Sequence, residues 1–146
     1  MSAAVQVFID GASLGNPGPA GIGVAFLKNG DTQPVATMHK YIGETTNNVA
    51  EYTALIYALQ EALIRGFRSL EVLTDSELVA KQLSGQYKVR EASLQPYYDQ
   101  YAHLKHGFDQ LVVRAIPREQ NRLADQLANE AVESRIDRSL KRSTSD

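Results

Sequence analysis

Asp10, Glu51, Asp75 and Asp125 are the residues of this chain whose types and settings could do chemistry. Asp10 closes an apolar, β-rich segment (Val5, Val7, Phe8, Ile9) and is followed by a glycine- and proline-studded run to Gly21. Glu51 follows Thr46-Asn47-Asn48, Asp75 sits in Thr74-Asp75-Ser76, and Asp125 lies in Asn121-Arg122-Leu123-Ala124-Asp125-Gln126-Leu127-Ala128. Each alone has an ordinary structural role. Asp10-Gly11 suits a turn, Glu51 the far end of a capping box opened by Asn48, Asp75 or Ser76 a helix cap, and Asp125 a solvated helix face. Gathered, they read differently. Two carboxylates ~4 Å apart repel by about 4 kcal/mol at a surface-like dielectric. A domain stable by roughly 5–15 kcal/mol holds four of them together only if they are protonated or bound to cations. An all-oxygen donor set selects hard cations, so Mg2+ or Mn2+ is the expected partner. A pair of such ions ~3.5–4 Å apart suits displacement at phosphorus, because it clamps both the attacking and the leaving oxygen.

The elements that must carry these acids can be read from pattern. Val5–Asp10, Gly21–Leu27 and Val35–Ile42 are rich in β-branched and aromatic residues, and Asn29-Gly30 marks a tight turn between the second and third. An antiparallel meander follows. Asn48–Arg65 is the clearest helix, with Glu51, Ala54, Leu55, Ala58 and Ala62 on one face and Gly66 as its stop. An acid on that alanine-rich, inward face is out of place as a cap or a solvated charge. Ser69–Thr74 and Leu111–Ile116 read as strands, and Ser76–Leu83, Ser93–His106 and Asn121–Ser134 as helices. Asp125 shares a side with Ala128 and Val132 in the last of these. A meander followed by two strand–helix–strand alternations gives an α/β mixed sheet flanked by helices. One domain over residues 1–134 is expected. Residues 135–146 are polar, without a sustained apolar face, and read as a flexible tail.

Composition narrows the class. A chain of 146 residues with 43% hydrophobic content is long enough to bury one sizeable core. Cysteine is absent, which removes disulfide scaffolds and zinc–thiolate sites. The Met1-Ser2-Ala3-Ala4 start carries neither a charged n-region nor an apolar run, so a soluble, cytoplasmic, monomeric protein is expected. Net charge is −2, against an indiscriminate nucleic-acid binder, yet the first 64 residues hold five acids and two basic residues. Cations at the acids would raise the local charge, so a phosphate ligand remains compatible with the total.

Taken in order, the four acidic segments resemble ribonuclease H of type 1, from about Val5 to Val132. The resemblance implies a five-stranded mixed sheet in the order 3-2-1-4-5. It also implies two-metal hydrolysis of the RNA strand in RNA–DNA hybrids, with Asp10, Glu51, Asp75 and Asp125 all matching the family's acidic set. Telling RNA from DNA requires groups that sense the 2′-hydroxyl. Gly11, Ala12 and Ser13 offer backbone groups beside Asp10, and Asn16, Asn47 and Asn48 offer amides. Residues of the Leu14–Gly18 and Thr46–Asn48 segments match those that hold the hybrid in similar proteins, although turn and cap chemistry explains each asparagine equally well. Lys88, within Gln86-Tyr87-Lys88-Val89-Arg90, is a candidate phosphate contact, or part of a solvated bend.

The sequence departs from many family members in two places. A longer basic protrusion after this cluster is absent, since Arg90-Glu91-Ala92-Ser93 runs straight towards Leu94, and a form without a separate hybrid-binding domain is expected. The loop Ile116–Asn121 carries no histidine; Arg118 is the nearest candidate to assist there, holding a phosphate rather than acting as a base. His39, His103 and His106 lie outside all these segments. A non-catalytic module that binds hybrid or double-stranded RNA on the same fold is the alternative function, and intact acids count against it. An ATP-handling enzyme is a third reading, disfavoured because one short domain leaves no second lobe to close over a nucleotide. Double-stranded RNA stays open as a further partner.

Overall fold

The structure is a computed structural model and describes residues 5–144, with side chains followed as far as Arg135. The Met1–Ala4 start and the last residues of the expected tail, 145–146, lie outside the described residues. In chain order the elements are β1 (Val5–Ser13), β2 (Gly18–Lys28), β3 (Ala36–Thr45), α1 (Asn47–Ile64), β4 (Ser69–Thr74), α2 (Glu77–Leu83), α3 (Gln95–Leu104), β5 (Gln110–Ala115) and α4 (Arg122–Thr144). Single 3-10 turns follow α3 and precede α4, the second over Arg118–Gln120.

The five strands form one sheet in the order β3-β2-β1-β4-β5, as expected. β1 pairs antiparallel with β2, which pairs antiparallel with β3, while β4 runs parallel to both β1 and β5. The Lys28–Asp31 turn of the meander closes through the Asp31 N–H to the Lys28 carbonyl at 3.0 Å, with Gly30 at a φ of 90°. That backbone angle favours glycine.

The two faces of the sheet are covered by different helices. On one side Val7, Ile9, Ile22, Val24 and Phe26 of the meander meet Tyr52, Leu55 and Leu59 of α1, with Leu70 and Val72 of β4 completing the core. On the other side α4 lies directly on β2. A Cβ at Gly23 would stand 2.1 Å from the Ala124 carbonyl, and one at Gly21 would stand 2.7 Å from that of Ala128. Both close approaches require glycine.

Several boundaries differ from the sequence-based expectation. β1 does not end at Asp10 but continues through Gly11, Ala12 and Ser13, which pair with Ile22, Gly21 and Ala20. Gly11 is therefore not a turn residue. Its missing Cβ lets α1 press on β1, because an added one would stand 2.4 Å from the Ala50 carbonyl carbon. β2 and β3 lengthen correspondingly at the same end of the sheet. Finally, α4 runs beyond the expected end at Ser134 to Thr144, through a stretch with neither glycine nor proline to stop it. Among the described residues, no helix is long and apolar enough to cross a membrane.

Candidate active site

Parallel pairing between β1 and β4 ends at Ile9 with Thr74. The next residues on the two adjacent strands are Asp10 and Asp75, so strand register alone delivers two acids side by side. This is the carboxyl end of the parallel strands, where ligand sites of open α/β sheets form. Glu51 reaches the same spot from α1. The cap of that helix is Thr46, whose Oγ1 accepts from the Val49 N–H at 3.3 Å. Glu51 therefore lies two residues beyond Val49, the capping-box position, and the cap reading of it does not hold. Instead its Oε1 accepts from the Gly11 N–H at 2.9 Å and its Oε2 from the Thr74 hydroxyl at 3.1 Å. Thr74 Oγ1 in turn accepts from the Ser76 N–H at 3.1 Å, and Ser76 caps α2 through Val79.

Carboxylate oxygens of Asp10, Glu51 and Asp75 all lie within 4.8 Å of one another. Asp10 and Glu51 are buried, at 5% and 6% exposure. Asp125 stands just outside this trio, half-buried on the first turns of α4, close enough for its charge or hydrogen bonding to act on Asp10 and Asp75. Seating of α4 on Gly23 through Ala124 fixes its neighbour Asp125 against the sheet.

The electrostatics are those of crowded anions. Burial, followed by the hydrogen bond and charge of Glu51, pushes the Asp10 carboxyl up from 3.8 to about 10, with Asp125 and Asp75 adding to the rise. Glu51 is also raised, by burial above all, although the Gly11 N–H and Thr74 hydroxyl work in the opposite sense. Asp75 is raised by burial and by Asp125, against the opposing charge of Arg118. Like charges within a few ångströms, facing no buried cation, are relieved by proton uptake or by a metal ion. The donors are all carboxylate oxygens, a set that fits a hard divalent cation and offers nothing to a soft one. The trio is thus a candidate metal site.

Arg118 stands on the rim. Its Nε is 3.9 Å from Asp75 Oδ2, and its side chain is 87% exposed, so it partners the acid while leaving most of its donors to solvent. Other expected contacts divide between structural bonds and open surface. The Gly11 N–H is taken by Glu51. Ala12 and Ser13 lie in β1, and Ser13 Oγ reaches the carbonyls of Gly15 and Thr45, tying the β1–β2 loop to the end of β3. Asn16 Oδ1 accepts from the Asn47 N–H at 3.0 Å, so the loop supplies a second cap to α1. Asn47 is exposed and Asn48 half-buried. Lys88 is exposed and lines a groove of about 550 Å³ beyond α2 with Leu78, Gln82, Tyr87 and Arg90. Among the described residues, His39, His103 and His106 join no group of potential metal ligands.

Two residues at the site escaped the sequence reading. Thr74 is fully buried and holds Glu51. Asn121 reads as a helix starter, but is 1% exposed and bonds through Nδ2 to the Ile9 carbonyl at 2.9 Å. A buried threonine closing a strand before an acid was the only local signal for the first. Nothing local marks the second, because its partner is far away in sequence.

A family model described as reverse transcriptase-like matches residues 8–131. Ribonuclease HI of Halobacterium salinarum is 44% identical over 129 residues, covering 88% of this chain and 64% of that protein. The N-terminal RNase H domain of rv2228c from Mycobacterium tuberculosis superposes with a TM-score of 0.89 at 38% identity, over 94% of this chain and 99% of that one. LC11-RNase H1, crystallised in complex with RNA/DNA hybrid, gives 0.85 at 42% identity, over 90% and 99%. The chain spans only part of the full-length relatives, 64% of the Halobacterium protein and 36% of the bifunctional protein Rv2228c. With acids converging at the ends of β1 and β4, the strand order β3-β2-β1-β4-β5 and these similarities along most of its length, the chain belongs to the ribonuclease H type 1 family.

Proposed function

We propose that this chain is a divalent-cation-dependent endonuclease that hydrolyses the RNA strand of RNA–DNA hybrids. The observation that carries the reading is the convergence of three carboxylates within 4.8 Å, two of them buried, at the carboxyl ends of parallel strands. The similarity to an RNase H1 crystallised with RNA/DNA hybrid supports the substrate.

Asp10, Glu51, Asp75 and Asp125 are the residues that would hold the metal, Mg2+ with Mn2+ able to replace it. When bound, two such ions supply Lewis acidity at the attacking and the leaving oxygen of the scissile phosphodiester. The protein's own contribution is geometric. Glu51 is pinned at both oxygens, by the Gly11 N–H and the Thr74 hydroxyl, so its carboxylate does not swing when the charge around it changes. Asp10 and Asp75 are set by strand register and Asp125 by the packing of α4 on Gly23. Arg118, exposed beside Asp75, is placed to hold a phosphate oxygen pair or to help product leave. The backbone at Gly11, Ala12 and Ser13, with Asn16, Thr46, Asn47 and Asn48, would meet the hybrid where the 2′-hydroxyls face the protein. Lys88 would meet a phosphate further along the groove. Residues 1–134 form the catalytic domain in this reading, with 135–146 as a polar extension, and the protein works as a cytoplasmic monomer.

Digestion of a labelled hybrid beside RNA–RNA, DNA–DNA and single-stranded controls, in Mg2+, Mn2+ or chelator, tests it. Cleavage confined to the RNA of the hybrid and abolished by chelator is the expected result. Binding of hybrid without cleavage in either metal would favour a non-catalytic module instead, and cleavage of RNA–RNA would widen the substrate to double-stranded RNA.

A further inference from the structure

Asn121 stands between the acids and has no part in the scheme above. The residue immediately precedes α4, and its Nδ2 donates to the Ile9 carbonyl at 2.9 Å, on the peptide unit that Ile9 shares with Asp10. Its side chain also faces the Asp75 carboxylate, closely enough to work against the rise of that acid's pKa. Its own carbonyl accepts the Asp125 N–H at 3.1 Å. One buried residue thus bonds the backbone beside Asp10 and the backbone of Asp125, and faces the side chain of Asp75.

The other end of the amide is informative. Among the described residues, Asn121 Oδ1 is a buried side-chain atom without a hydrogen-bond partner. An unpaired buried acceptor costs about 1–3 kcal/mol, so stability alone does not explain an amide at this position. The donor end explains it. A peptide carbonyl and a carboxylate both call for N–H groups, and the amide nitrogen carries two. An aspartate would present only acceptors to acceptors, and serine, threonine or leucine could not serve both at once.

We propose that Asn121 is a positioning residue: its amide N–H donors hold the backbone beside Asp10 and face Asp75, at the start of the helix that carries Asp125, so that a divalent cation meets a preformed carboxylate set. This rests on the functional reading above. Loss of a group that orients metal ligands typically weakens metal affinity or activity by about 10–100-fold.

The test uses Asn121→Leu, close to asparagine in shape but without donors, compared with wild type at a temperature where circular dichroism shows both folded. Calorimetric titration with Mn2+ alone should give an affinity about tenfold or more weaker, and kcat on hybrid should fall by about 10–100-fold with KM within about threefold. A Leu variant that melts lower but binds Mn2+ and turns over hybrid with wild-type constants makes Asn121 a packing residue and overturns the proposal. Should the Leu variant not fold, Asn121→Ala is read by the same two measurements. A wild-type protein that neither binds Mn2+ nor cleaves hybrid overturns the functional reading itself, a separate outcome from an indifferent Asn121.

Discussion

Asp10 shows how much a single side chain is made to bear here. Its carboxyl is buried beside Glu51 and raised to about 10, whereas in the unfolded chain it titrates near about 3.9. Across that interval the folded state keeps a proton that the unfolded state gives up, so the contribution of Asp10 to metal-free stability is greatest below about pH 4 and falls as pH rises towards 10. In chelator, the Tm of the wild type should therefore drop between pH 5 and pH 9 more steeply than that of Asp10→Asn, which has no proton to lose at this site. Saturating Mg2+ should flatten the wild-type slope, because the cation replaces the proton. Parallel melting curves for the two proteins across the pH range would mean that Asp10 is not held in a crowded anionic setting. The position of Asp10 was legible because an acid closing an apolar run is conspicuous. Its partnership with Glu51 was half legible: the alanine-rich face placed the glutamate inward, but its locking by Gly11 and Thr74 depends on how α1 meets β1. Asn121 was not legible as a site residue at all. Burial of its amide arises from the return of α4 to β1, a contact between distant parts of the chain.

At the scale of elements, the site is a consequence of where helices touch the sheet. α1 rests on β1 at Gly11 and α4 rests on β2 at Gly23, and each contact is backbone against backbone. A side chain cannot be inserted there by rotamer adjustment. Gly23→Ala puts a methyl 2.1 Å from the Ala124 carbonyl and 2.7 Å from the Ala128 nitrogen, so α4 must shift and carry Asp125 with it. Overpacking of this kind costs about 1–3 kcal/mol, and more where only backbone can yield. The variant should melt lower and cleave hybrid more slowly even well below its Tm, as measured by initial rates at matched folded fraction. Unchanged rates would show that Asp125 is not positioned by this contact. The elements themselves were largely readable, because the periodicities of α1 and of the meander strands are strong. The glycines misled at one end. Gly11 reads as turn chemistry in sequence, whereas the chain stays extended through Ser13 and the glycine serves close packing. The end of α4 was misjudged for the opposite reason. A polar stretch lacks an apolar face but also lacks a stop signal, and the helix continues to Thr144.

For the molecule as a whole, the sheet changes from antiparallel to parallel pairing at β1, and the acids collect at one end of that strand and its parallel neighbour. Residues that are separated along most of the chain meet there with charges of one sign, which makes this end of the sheet the candidate cation site. The strand order came from the resemblance rather than from periodicity, since hydrophobic pattern says which residues face inward but not which strands are neighbours. The central claim is that the acids work as one cation-binding unit that cleaves the RNA of a hybrid, and Asp75→Asn tests it most directly. The substitution keeps the shape of the side chain while removing one of the crowded charges. Single-turnover cleavage of a labelled RNA–DNA hybrid in Mg2+ should fall by about 1,000-fold or more, as for residues that act as a unit, while in chelator the variant melts no lower than the wild type. Cleavage by Asp75→Asn at a rate near that of the wild type would contradict the account.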